Sequence, residues 1–145
     1  MRFDVGTKAS PEQVRGAFTD FTDRRPRIWN RTLDPAKYEV RELGDTWAVA
    51  RESSPGSPFW VVARYDWSDP DVIRWTVVES SYGGDGGGSV RITPADGGGS
   101  RLDVEWNNTN ARSQKLLLSL LHRGPMRRLL ARMWATTLDR YAARG

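Results

Sequence analysis

The residues best suited to chemistry are polar side chains that the strand pattern places among apolar ones. Tyr65 falls in the middle of a predicted strand, and Arg51 and Glu79 fall near strand ends. An arginine or a tyrosine hydroxyl can polarise a carbonyl, and a carboxylate removed from water acquires a raised pKa suited to proton transfer. We therefore take Tyr65, Arg51 and Glu79 as candidate catalytic residues. A structural interpretation stands beside this one, because tyrosines often close a core with a solvated hydroxyl and strand-end charges can reach water.

Other classes of catalysis have little support in the sequence. The chain has no cysteine and a single histidine, His122, so thiolate chemistry is excluded and a metal site would lack its usual nitrogen and sulfur ligands. A Ser-His-Asp triad would depend on His122, which stands beside Arg123 next to a predicted helix break, and a surface or capping histidine is the better interpretation. We expect no metal site and no cofactor.

The elements that must position these side chains are mostly strands. Alternation of apolar and polar residues predicts strands over 2–8, 37–43, 46–53, 59–67, 72–80, 89–93 and 101–108. Ser10 and Gln13 form a capping box that opens a first helix, and a second short helix is expected over 24–29. A long amphipathic helix closes the chain, and Gly124-Pro125 should kink it or split it.

Turn positions predict which side chains share a face, because strands joined by a hairpin keep a fixed register. Folding about Gly44-Asp45 and about Pro70 gives an apolar face that should turn toward the last helix, although one β-bulge would reverse part of it. The candidate ligand-binding residues on this face and on the helices are Trp29, Tyr38, Trp47, Val49, Val61, Tyr65, Trp75, Val77, Trp106, Asn108, Leu130, Met133 and Trp134.

The predicted architecture leaves room for a ligand. Six consecutive antiparallel strands twist into a strongly bent sheet, and one helix cannot fill its concave side. We expect an α+β fold of about seven strands, in the order β-α-α-β-β-β-β-β-β-α, as one domain over 1–145. The remaining space would be a pocket with aromatic walls and few polar groups, as is common in small-molecule sites.

Two segments carry a family resemblance. They are the turn and strand Asp69-Pro70-Asp71-Val72-Ile73-Arg74-Trp75 and the closing Arg127-Arg128-Leu129-Leu130 with Leu138-Asp139-Arg140-Tyr141. With the order of elements, they resemble the START-like helix-grip superfamily and, within it, the polyketide cyclase/dehydrase and lipid-transport group. The resemblance covers nearly the whole chain. It implies a hydrophobic ligand held between sheet and C-terminal helix, with no obligatory cofactor, in a group that includes aromatase/cyclases and carriers of lipids and hormones.

Charge and composition favour a soluble protein and leave one further hypothesis open. Hydrophobic residues make up 38% of the chain, no apolar run reaches the roughly 20 residues of a membrane-spanning helix, and no secretory signal is visible, so we expect a cytoplasmic protein. Eight basic residues and only one acidic residue, Asp139, follow Ala111. With Arg24, Arg25 and Arg27, this basic helix could hold nucleic acid or anionic lipid. A solvated helix face is the simpler interpretation, and we expect no specific nucleic acid partner.

Three functions therefore remain, in order of preference. The first is binding of a hydrophobic or aromatic small molecule, polyketide-like or lipid-like, by a monomer or homodimer. The second is an aromatase/cyclase or dehydrase that uses Tyr65, Arg51 and Glu79 without metal or cofactor. The third is the basic-surface interaction.

Overall fold

A computed structural model of the chain describes residues 1–81, 83, 85–109 and 124–144. The strands are β1 (Arg2–Thr7), β2 (Glu39–Leu43), β3 (Trp47–Glu52), β4 (Val61–Asp66), β5 (Val72–Ser80), β6 (Asp85–Pro94) and β7 (Ser100–Thr109). The helices are α1 (Pro11–Thr19), α2 (Arg25–Ile28) and α3 (Gly124–Arg144). Short 3-10 turns lie at Pro35–Lys37 and Asp96–Gly98.

The seven strands form one antiparallel sheet in the order β1-β7-β6-β5-β4-β3-β2. Strand β1 pairs with β7, so the first and last strands of the chain are neighbours at one edge of the sheet. Helices α1 and α3 cover the same face there, which we call the inner face. The predicted α+β helix-grip fold, a curved antiparallel sheet with a C-terminal helix, is confirmed.

The helices begin where local chemistry favours them. Ser10 accepts a hydrogen bond from the Gln13 amide and the Gln13 side chain returns one, so the predicted capping box starts α1. Helix α3 begins at Gly124, which puts Pro125 in its first turn, where a missing N–H costs nothing. The expected kink, His122 and the side chain of Asn108 lie outside the described residues. No helix among the described residues is long and apolar enough to cross a membrane.

One half of the inner face is a solid aromatic core. The ring of Trp134 on α3 lies 5.4 Å from Phe3, 5.5 Å from Phe18 and 5.9 Å from Trp29. The Trp29 indole donates a hydrogen bond of 3.1 Å to the carbonyl oxygen of Ala17, and its ring packs on Phe18 at 4.7 Å. Trp29 and Trp134, both predicted to line a cavity, are therefore core residues that fix α1, α2 and α3 on β1.

The predicted inner face of β3 is wrong, and a bulge is the reason. Val40 pairs with Ala50 but Glu42 pairs with Val49, so the extra residue Arg41 shifts the register of β2 by one. Ala48, Ala50 and Glu52 consequently lie on the inner face and are buried. Trp47, Val49 and Arg51, which the turn alone would place there, lie on the outer face.

A second bulge places Glu79 on the outer face of the sheet, whereas the turn at Pro70 alone would place it on the inner face. Ala63 pairs with Val77 and Val62 pairs with Glu79, which leaves Val78 as the extra residue of β5. Glu79 thus shares the outer face with Val62, and its carboxylate lies 3.3 Å from the guanidinium of Arg41 at an exposed position.

Candidate functional site

The other half of the inner face combines aromatic rings with very small residues. One row of paired residues crosses the sheet through Ala48, Tyr65, Trp75, Gly88 and Trp106. The next row crosses it through Val40, Ala50, Ala63, Val77 and Gly86. From Val40 to Gly86 the second row has no side chain larger than valine, so the inner face is lower there than along the first row.

Two tryptophans stand on either side of a glycine in the first row. Trp75 and Trp106 both pair with Gly88, and their rings meet edge to face at 6.2 Å. A Cβ atom on Gly88 would lie 2.5 Å from the Trp75 ring, so only glycine leaves space for the indole. Both tryptophans are half-buried, and with Gly86 and Val77 they form a partly exposed apolar surface that we call the glycine patch.

A buried polar cluster adjoins the glycine patch. The Nε atom of Arg25 lies 3.1 Å from a carboxylate oxygen of Glu52, and the other carboxylate oxygen accepts a short hydrogen bond from the Tyr65 hydroxyl. Arg25 and Glu52 are 4% and 5% exposed. Since Tyr65 starts in the first row and its hydroxyl reaches Glu52 beyond the second, its ring passes over the buried residues Ala50 and Ala63.

Helix α2 supplies the arginine, and local contacts hold it in place. The guanidinium of Arg25 donates a 2.8 Å hydrogen bond to the carbonyl oxygen of Phe18 at the end of α1. It also lies 4.0 Å from the ring centre of Phe21 and 5.1 Å from that of Tyr65. These contacts compensate for removing a charge from water. Arg25 is therefore an internal residue, not part of the basic surface that the sequence predicted.

Electrostatics keep the Tyr65 hydroxyl protonated. Burial, the negative charge of Glu52 and the hydrogen bond to it raise the pKa of Tyr65 well above its usual value, although Arg25 opposes the shift. Burial alone would lower the pKa of Arg25, but Glu52 and Tyr65 raise it. The cluster therefore presents a neutral phenol, fixed by an ion pair, beside the glycine patch.

Tyr38 closes the cluster on the side of β2. Its hydroxyl donates a 3.2 Å hydrogen bond to the carbonyl oxygen of Thr22, and its ring packs against the core. Burial raises the pKa of Tyr38 to about 12, against the opposing charge of Arg25 and with the help of Glu52. Tyr38 thus also stays neutral at physiological pH.

The structure brings together only some of the residues predicted from the sequence. Tyr65, Trp75, Val77 and Trp106 occupy adjoining positions of the inner face, and Val61 pairs with Glu52 beside them. Leu130 packs against the core from α3, and Met133 is half-buried on the same helix. Two candidate catalytic residues, Arg51 and Glu79, lie on the outer face, where Arg51 stacks on Trp60 at 4.6 Å.

Sequence reasoning missed Arg25 as a site residue and missed Glu52 altogether. Glu52 alternates with Ala48 and Ala50, which is a readable pattern once the bulge at Arg41 is known. Arg25 gave no comparable signal, because it stands in a run of basic residues that looks like a solvated surface. Among the described residues, no three His, Asp or Glu side chains form a group that could hold a metal ion.

Comparison with known proteins is consistent with this geometry. The family model described as polyketide cyclase / dehydrase and lipid transport matches residues 4–145. The fold resembles that of TTHA0849 from Thermus thermophilus, with a TM-score of 0.72, 17% identity and coverage of 99% of this chain and 97% of that one. No curated protein sequence gives a significant match.

Two enzymes also share the fold. The Zhui aromatase/cyclase of Streptomyces sp. R1128 superposes with a TM-score of 0.68 at 20% identity, covering 100% of this chain and 96% of that one. Norcoclaurine synthase from Thalictrum flavum gives a TM-score of 0.68 at 13% identity, covering 100% and 86%. At these identities the likeness concerns the fold.

Proposed function

The chain belongs to the polyketide cyclase/dehydrase and lipid-transport family, and we propose that it binds, on the glycine patch, a flat, hydrophobic small molecule that carries a hydroxyl group. The observation that carries the proposal is the pair Trp75 and Trp106, which remain half-exposed around a surface that Gly86 and Gly88 leave without side chains. An aromatic ligand there would bury apolar surface, and this burial favours binding by about 25 cal/mol for each Å² removed from water.

The polar end of the ligand would meet Tyr65. The phenol donates a hydrogen bond to Glu52 and keeps its proton, so its oxygen can still accept a hydrogen bond from a ligand hydroxyl. Because Arg25 balances the charge of Glu52, the site offers this contact without an uncompensated carboxylate. A ligand with one hydroxyl on an aromatic body fits both features.

Binding of 2-naphthol, followed by tryptophan fluorescence and calorimetry, tests the proposal. Trp75→Ala should weaken binding about tenfold, which is about 1.4 kcal/mol of lost contact. Trp60→Ala is the matched control because Trp60 packs on Arg51 at the outer face, and its affinity should stay within about twofold. Equal effects of the two substitutions, or no binding of 2-naphthol, would contradict the proposal.

The same cluster favours a second candidate, catalysis of a carbonyl condensation or dehydration. An aromatase/cyclase needs a donor for a carbonyl oxygen that gains negative charge, and the neutral phenol of Tyr65 becomes such a donor when its hydroxyl turns from Glu52 to the substrate. The substrate class would be a poly-β-ketoacyl thioester. Tyr65→Phe should then abolish turnover and leave binding of naphthalene, which has no hydroxyl, unchanged. Unaltered turnover in this variant would dismiss the enzyme.

A further inference from the structure

A second cleft lies outside the inner face of the sheet. It has a volume of about 730 Å³, within the range of small-molecule sites, and opens between α2, the 3-10 turn Pro35–Lys37 and the last turn of α3. Its lining residues are Asp23, Pro26, Arg27, Asn30, Pro35, Tyr38 and Arg144. The glycine patch contributes none of them.

The cleft contains two arginines that no carboxylate of the described residues holds in an ion pair. Neither Arg27 nor Arg144 forms an ion pair within the part of the chain that the structure describes, whereas neighbouring Arg24 pairs with Asp20 at 3.3 Å. Arg140 stands behind the lining and donates a 2.8 Å hydrogen bond to the side-chain oxygen of Asn30. That bond leaves the amide hydrogens of Asn30 for a ligand and adds a third positive charge nearby.

The remaining lining residues restrict what such a ligand can be. Pro26, Pro35 and the ring of Tyr38 give the cleft an apolar wall, and the Tyr38 hydroxyl is already engaged with Thr22. Asp23 contributes the one carboxylate of the lining, and a carboxylate can accept a hydrogen bond, so it disfavours a bare anion and favours an anion that carries a hydroxyl.

From this arrangement we propose that the cleft is a binding site for a small aromatic hydroxy acid. Its anionic group contacts Arg27 and Arg144, its ring lies on Tyr38 and the two prolines, and its hydroxyl donates to Asp23. Guanidinium groups suit a planar carboxylate because they donate in pairs. A cleft of this size suits a small molecule, whereas a nucleic acid or a membrane would require a broad basic surface.

Calorimetric titration with 4-hydroxybenzoate tests the site. The double substitution Arg27→Gln/Arg144→Gln should weaken binding at least about tenfold, or 1.4 kcal/mol. Arg132→Gln removes one exposed charge from the same helix outside the cleft, and its affinity should stay within about twofold. Asp23→Asn should remove most of the preference for 4-hydroxybenzoate over benzoate. Equal losses in the double variant and the control would overturn the proposal.

Two further arms separate this site from simpler explanations. Inorganic phosphate lacks the apolar body and should bind at least about tenfold more weakly than 4-hydroxybenzoate, and equal affinity would overturn the proposed ligand class. Naphthalene binding at the glycine patch should be unchanged in the double variant and should not compete with 4-hydroxybenzoate. Competition between the two would place both ligands in one site and refute a second cleft. Because each site is tested with its own ligand, loss of binding at one site can be distinguished from loss of binding at the other.

Discussion

The carboxylate of Glu52 lies 3.1 Å from the Nε atom of Arg25, and the two side chains form a buried ion pair. One comes from the inner face of β3 and the other from a four-residue helix, so the pair ties α2 to the sheet. The Tyr65 hydroxyl and the Phe18 carbonyl complete its hydrogen bonding. Both charges are out of water and compensate each other.

Breaking this pair should be costly. Glu52→Gln leaves the guanidinium of Arg25 buried without a counterion, and removing one partner of a buried pair typically costs about 3–5 kcal/mol. Urea unfolding at neutral pH measures the loss. The matched control is Asp4→Asn, which breaks an exposed 3.0 Å bridge to Arg101 and should cost less than about 1 kcal/mol. Similar losses of stability in the two variants would show that burial does not increase the contribution of the Arg25–Glu52 pair to stability.

Gly88 should tolerate no side chain. A Cβ atom there would lie 2.3 Å from the backbone oxygen of Glu105 and 2.5 Å from the Trp75 ring, and the backbone oxygen cannot move without breaking the sheet. Gly88→Ala should therefore destabilise the fold by about 2 kcal/mol or more and change tryptophan fluorescence. Gly6→Ala is the control, because nothing lies within 4 Å of the new Cβ. A loss from Gly88→Ala no larger than from Gly6→Ala would remove the steric argument.

The order of elements could be predicted from the sequence because each depends on local signals. Ser10 and Gln13 cap α1, and the Asp69 to Asp71 turn joins β4 to β5, as residue types alone indicate. The family resemblance reached the same fold, since it rests on that order. The face of the sheet on which each strand residue lies could not be predicted, because it depends on bulges with no sequence signature. Arg41 and Val78 look like ordinary strand residues, yet each is the extra residue of a bulge, and the residues beyond it lie on the opposite face from the one that simple alternation predicts.

The candidate site was predicted only in part, because bulges also change which residues face it. Trp75 and Trp106 follow directly from alternation in strands without a bulge between them and Gly88. Glu52 was lost with the register of β2, and Arg51 took its place in the prediction. Trp29 and Trp134 fill space because three helices meet closely around them. The sequence pattern does not reveal how closely helices pack, so it could not distinguish core residues from residues that line a cavity.

Tyr38 should contribute to a fall in stability at alkaline pH. Its pKa is about 12 in the folded protein and about 10 when unfolded, so the folded state retains a proton that the unfolded state loses. The contribution is complete below about pH 10 and disappears as the pH rises toward 12. In Tyr38→Phe, the free energy of unfolding should decline less across this window than in the unsubstituted protein. Parallel declines would refute the shifted pKa.

Asp139 should hold α3 on the sheet. One of its carboxylate oxygens accepts a 2.6 Å hydrogen bond from the Thr7 hydroxyl and a 2.8 Å bond from the Lys8 amide at the end of β1. Hydrogen bonds to a charged group contribute about 1.5–3 kcal/mol each, so Asp139→Ala should destabilise the protein by about 3 kcal/mol or more. Thr136→Ala on the exposed side of α3 is the control and should change stability by less than about 0.5 kcal/mol.

The local consequence distinguishes this clamp from general loss of packing. Asp139→Asn keeps an oxygen that can accept one or both bonds, so it should recover part of the stability that alanine loses. Hydrogen exchange at the Lys8 amide should accelerate in Asp139→Ala more than at the Val104 amide of β7, which lies between β1 and β6, because only the former loses its acceptor. Equal acceleration at both amides would mean that the substitution acts on global unfolding and that Asp139 is not a specific attachment of the helix.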